Sequence, residues 1–208
     1  MFMKKSFLFY ALLLALGISS CNGQEQQTQQ SENDTINMNK DFLTLAAERY
    51  SVRKYSSTPV EQEKIDKILE AGKLAPTAMN SQPQMVFVLK SDSAVAKANK
   101  ISPCIYGAPH AFLICYDDKR ACQLGEEGNC GDVDCTIVLT HMMLEAWNLG
   151  VGTCMVGMFK PEDAVREFNL PSNLHPLLLM PFGYPAEDAA PSPSHSEYRP
   201  MEEMVKEL

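Results

Sequence analysis

The chain has 208 residues, of which 45% are hydrophobic and 21% charged, and its formal net charge is −8. This composition is typical of a globular protein with one main domain, and it indicates neither disorder nor a repeat array. The negative charge argues against nucleic acid or anionic lipid headgroups as partners and favours small molecules.

The amino terminus has the layout of an export signal. Lys4 and Lys5 precede an apolar run over residues 7–18, which is shorter than a membrane-spanning helix needs. The sequence Ile18-Ser19-Ser20-Cys21 resembles the lipobox of bacterial lipoproteins, in which the cysteine is acylated. We therefore predict a signal peptide with lipobox over residues 1–20, lipidation at Cys21, and an exported protein anchored to a bacterial membrane on its periplasmic or cell-surface side. An ordinary secretory signal or a retained anchor helix remains open, and both also place the body outside the cytoplasm.

Residues 21–40 hold almost nothing that a core could bury. Five glutamines lie between Gln24 and Gln30, among Ser, Glu, Asn and Asp, and this composition predicts a flexible tether. We expect the folded domain to span residues 41–208.

Six cysteines follow Cys21, and the sequence contains no CxxC pair. Their spacing is not that of a zinc or iron–sulfur site, so no metal is expected. One disulfide among Cys122, Cys130 and Cys135 is left open for an oxidising compartment. Cys115 and Cys154 are interpreted as small buried hydrophobic residues.

Hydrophobic periodicity and the positions of Gly and Pro predict alternating helices and strands along the body. The predicted helices are a first one capped by Asp41 and ending near Arg49, then 61–74, 91–100, 132–149, 161–168 and 201–208. The predicted strands are 84–89, 111–116, 151–157 and 175–182, with extended coil over 185–196. The pattern is that of an α+β protein.

The predicted helix 132–149 is apolar nearly all round, which is typical of a helix buried on every side. The rest of the domain could surround it, and a subunit interface could supply the missing cover equally well. The sequence therefore predicts a long buried helix and is compatible with a homodimer.

The run Arg49-Tyr50-Ser51-Val52-Arg53 places two guanidinium groups and a hydroxyl at alternate positions. In an extended segment these three side chains point the same way and form a cradle that suits a phosphate. From these residues alone, a solvated basic edge is the favoured interpretation.

Three further segments accompany the arginine run in order along the chain. They read APTAMNSQPQ over residues 75–84, LGVGTCMVG over 149–157 and FGYPAE over 182–187. Together the four motifs closely resemble the nitroreductase family, with its R-x-S-x-R, A-P-S/T-x-x-N-x-Q-P, L-G-x-G-T-C-W-x-G and G-Y-P-A-E stretches. The resemblance implies a three-layer α/β/α fold with a central mixed, mainly antiparallel sheet, assembled as a homodimer.

The resemblance also implies an FMN cofactor. Arg49 and Ser51 would hold its phosphate together with a basic residue of the tail, Arg199 or in reserve His195, and Tyr50 is also expected to bind the cofactor. Arg53 would lie towards the ribityl chain and the pyrimidine edge of the ring. The two remaining assignments are a hydrogen bond from Asn80 to the flavin and backbone groups of Val156 and Gly157 facing its N5 side.

The activity implied is electron transfer from NAD(P)H or another donor, through FMN, to nitroaromatic, quinone or similar small organic acceptors. No catalytic side chain is expected, because the flavin carries the chemistry. The chain departs from the family at Met155, where Trp is common, and at Tyr198, where a basic residue is common. The alternative hypothesis is an exported lipoprotein that binds a flavin or another small ligand without turnover.

Overall fold

The computed structural model describes residues 41–208. The predicted signal peptide, Cys21 and the tether lie outside the described residues. Within the described part, no helix is both long enough and apolar enough to cross a membrane.

The described chain alternates helices and strands much as the periodicity predicts. The helices are α1 (Phe42–Glu48), α2 (Gln62–Lys73), α3 (Asp92–Ile101), α4 (Gly131–Asn148), α5 (Pro161–Phe168) and α6 (Met201–Met204). The strands are β1 (Gln84–Leu89), β2 (His110–Asp117), β3 (Gly152–Thr153) and β4 (Leu174–Gly183). Asp41 caps α1 as predicted, because its carboxylate accepts the backbone N–H groups of Leu43 and Thr44.

The strands form one sheet in the order β1-β2-β4-β3, and every ladder is antiparallel. Ser51, which lies outside the named strands, adds a parallel bridge to Thr153 of β3. The prediction of a mixed, mainly antiparallel sheet is confirmed. This bridge also brings the arginine run to the edge strand β3.

Helices cover both faces of the sheet, because side chains alternate along each strand. On β2, Phe112 and Ile114 pack into a core with α2 and α4, whereas Leu113 and Cys115 pack into a second core with α3. Helix α5 lies on the same side as α3, with contacts to both α3 and β4. The three-layer α/β/α arrangement is confirmed.

Helix α4 is buried on one side rather than all round. Val138, Leu139 and Met142 are fully buried, whereas Val133 is 63% exposed and His141 is exposed. Of the two kinds of cover that the sequence left open, the single chain therefore supplies cover on one side of this helix only. Its exposed side carries both apolar and polar residues.

Two predicted elements are shorter than expected. The strand predicted over 151–157 is reduced to β3 and an isolated bridge between Val156 and Leu179. Cys154 N–H donates to Pro181 O at 3.3 Å, but the proline has no N–H to return the bond, so the ladder is interrupted there. The helix predicted over 201–208 ends at Met204.

Candidate functional site

The arginine run begins where α1 ends. Arg49 is the C-cap of α1, with an extended backbone (φ −64°, ψ 128°). From there the chain continues along the sheet edge, and Val52 N–H donates to Thr153 O at 2.9 Å. The run is therefore held extended beside β3, which is the conformation that alternation of its side chains requires.

Two residues outside the arginine run fix its position. A Cβ on Gly152 would lie 2.5 Å from Val52 Cγ2, so only glycine allows the two segments to approach this closely. On the other side, the Tyr55 hydroxyl lies 2.8 Å from Val52 O and 3.2 Å from Pro181 O, which leaves it one proton for two acceptors. Burial raises the pKa of Tyr55 well above its ordinary value, so the hydroxyl remains a donor.

The run lines a cavity of about 200 Å³ together with the chain near the carboxyl end. Every lining residue carries either a basic group or a hydroxyl. They are Arg49, Tyr50, Ser51, Arg53, Ser192, Ser194 and His195. Such a lining offers hydrogen-bond donors and positive charge, which is what a phosphate group requires.

The tail reaches this cavity through His195, which the sequence placed in reserve. Its Nε2 lies 3.2 Å from Ala47 O, and its ring packs edge-on against Tyr50 with centroids 6.2 Å apart. Tyr50 in turn packs edge-on against Trp147 of α4 at 5.1 Å. Arg199, the first choice from the sequence, is exposed and lies outside the set of lining residues.

The basic residues of the arginine run also act on a buried thiol at the edge of the sheet. Burial raises the pKa of the Cys154 thiol, whereas the charge of Arg53, a hydrogen bond with Ser51 and the charge of Arg49 act in the opposite direction. Both guanidinium groups and the Ser51 hydroxyl therefore act near one buried point. An anion in the cavity would be stabilised by the same groups.

The segment that contains Asn80 has an uncommon backbone. Met79, Asn80 and Gln82 all have positive φ, of 54°, 53° and 48°. The turn is held by Ala78 N–H, which donates to the Asp134 carboxylate at 2.9 Å, and by Gln82 N–H, which donates to Thr77 Oγ1 at 3.1 Å. Such strain marks functional segments. Asn80 itself is exposed and does not line the cavity beside Arg49.

Val156 and Gly157 differ in what their backbones can offer. Val156 exchanges two backbone hydrogen bonds with Leu179, at 2.8 and 2.9 Å. Its N–H is therefore already engaged, which argues against the expectation that it faces a flavin N5. Gly157 is exposed, and its O accepts a hydrogen bond from Phe159 N–H at 3.0 Å.

Sequence reasoning missed Ser192 and Ser194 as lining residues, and Tyr55, Gly152 and Asp134 as supports. The serines lie in a Pro- and Ser-rich coil, where no periodicity marks a site. Tyr55 follows the arginine run closely, which is the one local signal for its role. Asp134 is only 2% exposed, and a buried carboxylate in an apolar helix is a signal that the sequence does carry.

Comparison with known proteins agrees with this geometry. The nitroreductase family model matches residues 46–105 and 93–184. The chain belongs to the nitroreductase family. It is 30% identical to the FMN reductase [NAD(P)H] of Bacillus subtilis over 75% of this chain and 70% of that protein.

Solved structures match at the level of the whole domain. A nitroreductase family protein from Clostridium difficile is 36% identical, with a TM-score of 0.75 over 80% of this chain and 98% of that chain. An FMN-dependent nitroreductase from the same species is 23% identical and shares the fold, with a TM-score of 0.64 over 75% of this chain and 95% of the other. The match covers nearly the full length of both proteins.

Proposed function

We propose that this nitroreductase is exported and lipid-anchored, and that it passes electrons through FMN to nitroaromatic, quinone or similar small organic acceptors. The observation that carries the proposal is the cavity lined entirely by basic and hydroxyl side chains. Riboflavin has no phosphate for such a lining, so the cavity favours FMN. The chain is an FMN-dependent oxidoreductase, as its family and relatives indicate.

The residues present fit this cofactor. Arg49, Ser51 and His195 would hold the phosphate, with Ser192 and Ser194 as further donors. Arg53 lies at the other end of the extended run, where its charge would favour the reduced, anionic form of the ring system. When bound, FMN supplies the electron-transfer chemistry, so no side-chain nucleophile is needed.

The electron donor is NAD(P)H in the name of the Bacillus subtilis relative. We extend this donor class to the present chain as the family-typical one. An exported protein meets no dependable NAD(P)H pool, so in its own compartment either another donor serves or the reaction differs from nitroreduction. NADH is therefore a laboratory donor for the bound flavin.

We further propose a homodimer. Helix α4 presents Val133 to solvent at 63% exposure, and Ile137 and Leu144 on the same side are only partly buried. The indole Nε1 of Trp147 is buried and has no hydrogen-bond partner among the described residues. A second subunit over this side would cover the apolar side chains and could supply that partner.

The decisive experiment is the absorption spectrum of the purified protein, followed by anaerobic addition of NADH. We expect a yellow protein with released FMN after denaturation, and bleaching of the visible bands when NADH is added. A yellow protein whose dithionite-reduced flavin is not reoxidised by an added quinone or nitroaromatic acceptor would favour the alternative of a flavin-binding lipoprotein without turnover. A colourless protein that fails to bind added FMN would contradict both.

The anchor is tested separately from the chemistry. Replacing Cys21 by Ser removes the only thiol of the lipobox, so the protein should move from membrane to soluble fractions. Flavin content and NADH bleaching should be unchanged. If the Cys21→Ser protein stays in the membrane fraction, the lipobox interpretation is wrong.

A further inference from the structure

Two cysteines of a short hairpin face each other at the start of α4. The hairpin runs from Cys122 to Cys130, and its isolated bridge joins Gln123 and Asn129 in antiparallel fashion. Two backbone bonds flank the bridge, from Cys130 N–H to Cys122 O at 2.9 Å and from Leu124 N–H to Gly128 O at 2.8 Å. Cys122 and Cys130 are therefore directly opposite each other.

That register is compatible with a covalent link. Directly opposite residues that exchange a backbone hydrogen bond have Cα atoms about 5.5 Å apart, which lies within the range that a disulfide spans. Their side chains also point to the same face of the hairpin. Burial raises the pKa of the Cys130 thiol, and the neighbouring Cys122 thiol raises it further. The two thiols are therefore close enough to interact.

Two other cysteines of the body, Cys115 and Cys135, are placed differently. Cys115 and Cys135 are fully buried, and the Cys135 thiol lies 3.5 Å from Cys115 O. Cys122 and Cys130 are both partly exposed, so a dissolved oxidant can reach them. Of the three cysteines that the sequence left open, Cys135 is excluded from pairing by its burial in the core.

We propose that Cys122 and Cys130 are a covalent modification site that a disulfide oxidant, such as glutathione disulfide, converts to an intramolecular disulfide. One thiolate attacks the oxidant, forming a mixed disulfide and releasing one glutathione. The second thiolate attacks the protein sulfur of that mixed disulfide, forming the Cys122–Cys130 bond and releasing the second glutathione. Two protein thiols are oxidised and one glutathione disulfide is reduced, and the two thiol protons pass to the released glutathiones.

The link would fix the segment that leads into α4. Cys130 O accepts the N–H of Asp134, and the Asp134 carboxylate holds the strained turn at Ala78. Closing the hairpin therefore stabilises the backbone segment that carries the Asp134 carboxylate. It does so by reducing the freedom of the unfolded chain.

The test is mapping of the link in the full chain after incubation with glutathione disulfide and alkylation of free thiols. A protease that cleaves after Glu separates the two cysteines at Glu126 and Glu127, and one that cleaves before Asp separates Cys130 from Cys135 at Asp132 and Asp134. We expect the Cys122 and Cys130 peptides to remain joined until a reductant is added. Cys135 should take the alkylating reagent only after unfolding.

Matched variants make the result unambiguous. Cys135→Ser should leave the link intact, whereas Cys122→Ser should leave Cys130 as a mixed disulfide with glutathione. Oxidised protein should melt roughly 5–10 °C above the Cys122→Ser, Cys130→Ser double variant, as expected for closing a loop of this length. Alkylation of both thiols after oxidant treatment, separate glutathione adducts on each, or links between chains would overturn the proposal.

Discussion

Arg49 has two structural roles, because it ends α1 and lines the cavity. Its backbone N–H donates to Leu45 O, an interaction that any residue could make, so the side chain is available for a ligand. A hydrogen bond from a charged group to a phosphate contributes roughly 1.5–3 kcal/mol.

Replacing Arg49 by Ala should therefore weaken FMN binding by roughly ten- to a hundredfold, because one charged donor to the phosphate is lost. Fluorescence titration of flavin-free protein measures the change, and riboflavin binding should be little affected. Arg166→Ala on α5 is the control, since its exposed pair with Asp163 lies outside the cavity lining. Equal losses for FMN and riboflavin would show that Arg49 does not contact a phosphate.

His195 gives a prediction for the tail. Replacing His195 by Ala should weaken FMN binding, because its imidazole is the part of the cavity lining that carries a basic group from the carboxyl end of the domain. Fluorescence titration of flavin-free protein measures the change. Arg199→Ala should leave the affinity unchanged, since Arg199 lies outside the lining residues. A variant at Arg199 that loses most of the affinity would restore Arg199 as the tail ligand.

At the scale of elements, local sequence predicted most of the fold. The strand over 84–89 and the helix over 161–168 were predicted with their observed bounds, because a Pro or Gln-Pro turn marks each start and the apolar spacing is clear. The strand over 151–157 was predicted too long, since its truncation depends on Pro181 in a strand far along the sequence. Pairing partners of this kind are not visible in a local window.

The sequence likewise predicted one part of the site and missed the other. Arg49, Ser51 and Arg53 follow from alternation within one short run, which is local information. The tail residues of the lining reach the arginine run only through tertiary folding of a coil; they are Ser192, Ser194 and His195. The sequence shows the charge of each tail residue but not its distance from the run. That is why Arg199, with its permanent charge, was preferred over His195.

The close contact between the arginine run and β3 predicts the effect of a substitution at Gly152. In Gly152→Ala the new methyl group would meet Val52 at 2.5 Å, so the run must move away from β3. Overpacking of this kind destabilises by about 1–3 kcal/mol, and FMN binding should weaken with it. Thermal unfolding and FMN titration measure the two effects.

Gly157→Ala is the control for stability alone, because its Cβ would meet only Leu178 Cδ2 at 3.5 Å. Its melting temperature should stay within a degree or two of the parent, as expected for an ordinary contact. If Gly152→Ala binds FMN like the parent protein, the bridge to β3 is not what positions the arginines.

At the scale of the whole molecule, the exposed side of α4 predicts association. We expect light scattering to give the mass of a dimer. Val133→Glu should shift the equilibrium to monomer, because a charge placed in an apolar interface loses its hydration. Val133→Thr has nearly the same shape and should remain largely dimeric. A compact monomer of the parent protein that retains its flavin would contradict the dimer proposal.

The cavity is built from both ends of the folded domain, residues 49–53 near its start and 192–195 near its finish. A chain emerging from the ribosome presents the first half of this lining early and the second half almost last. Until the tail packs against Tyr50 and Ala47, the cavity lacks the lining residues that the tail supplies. We therefore expect FMN to bind late in folding, and if the chain is exported unfolded, as we propose, it would take up FMN only after crossing the membrane.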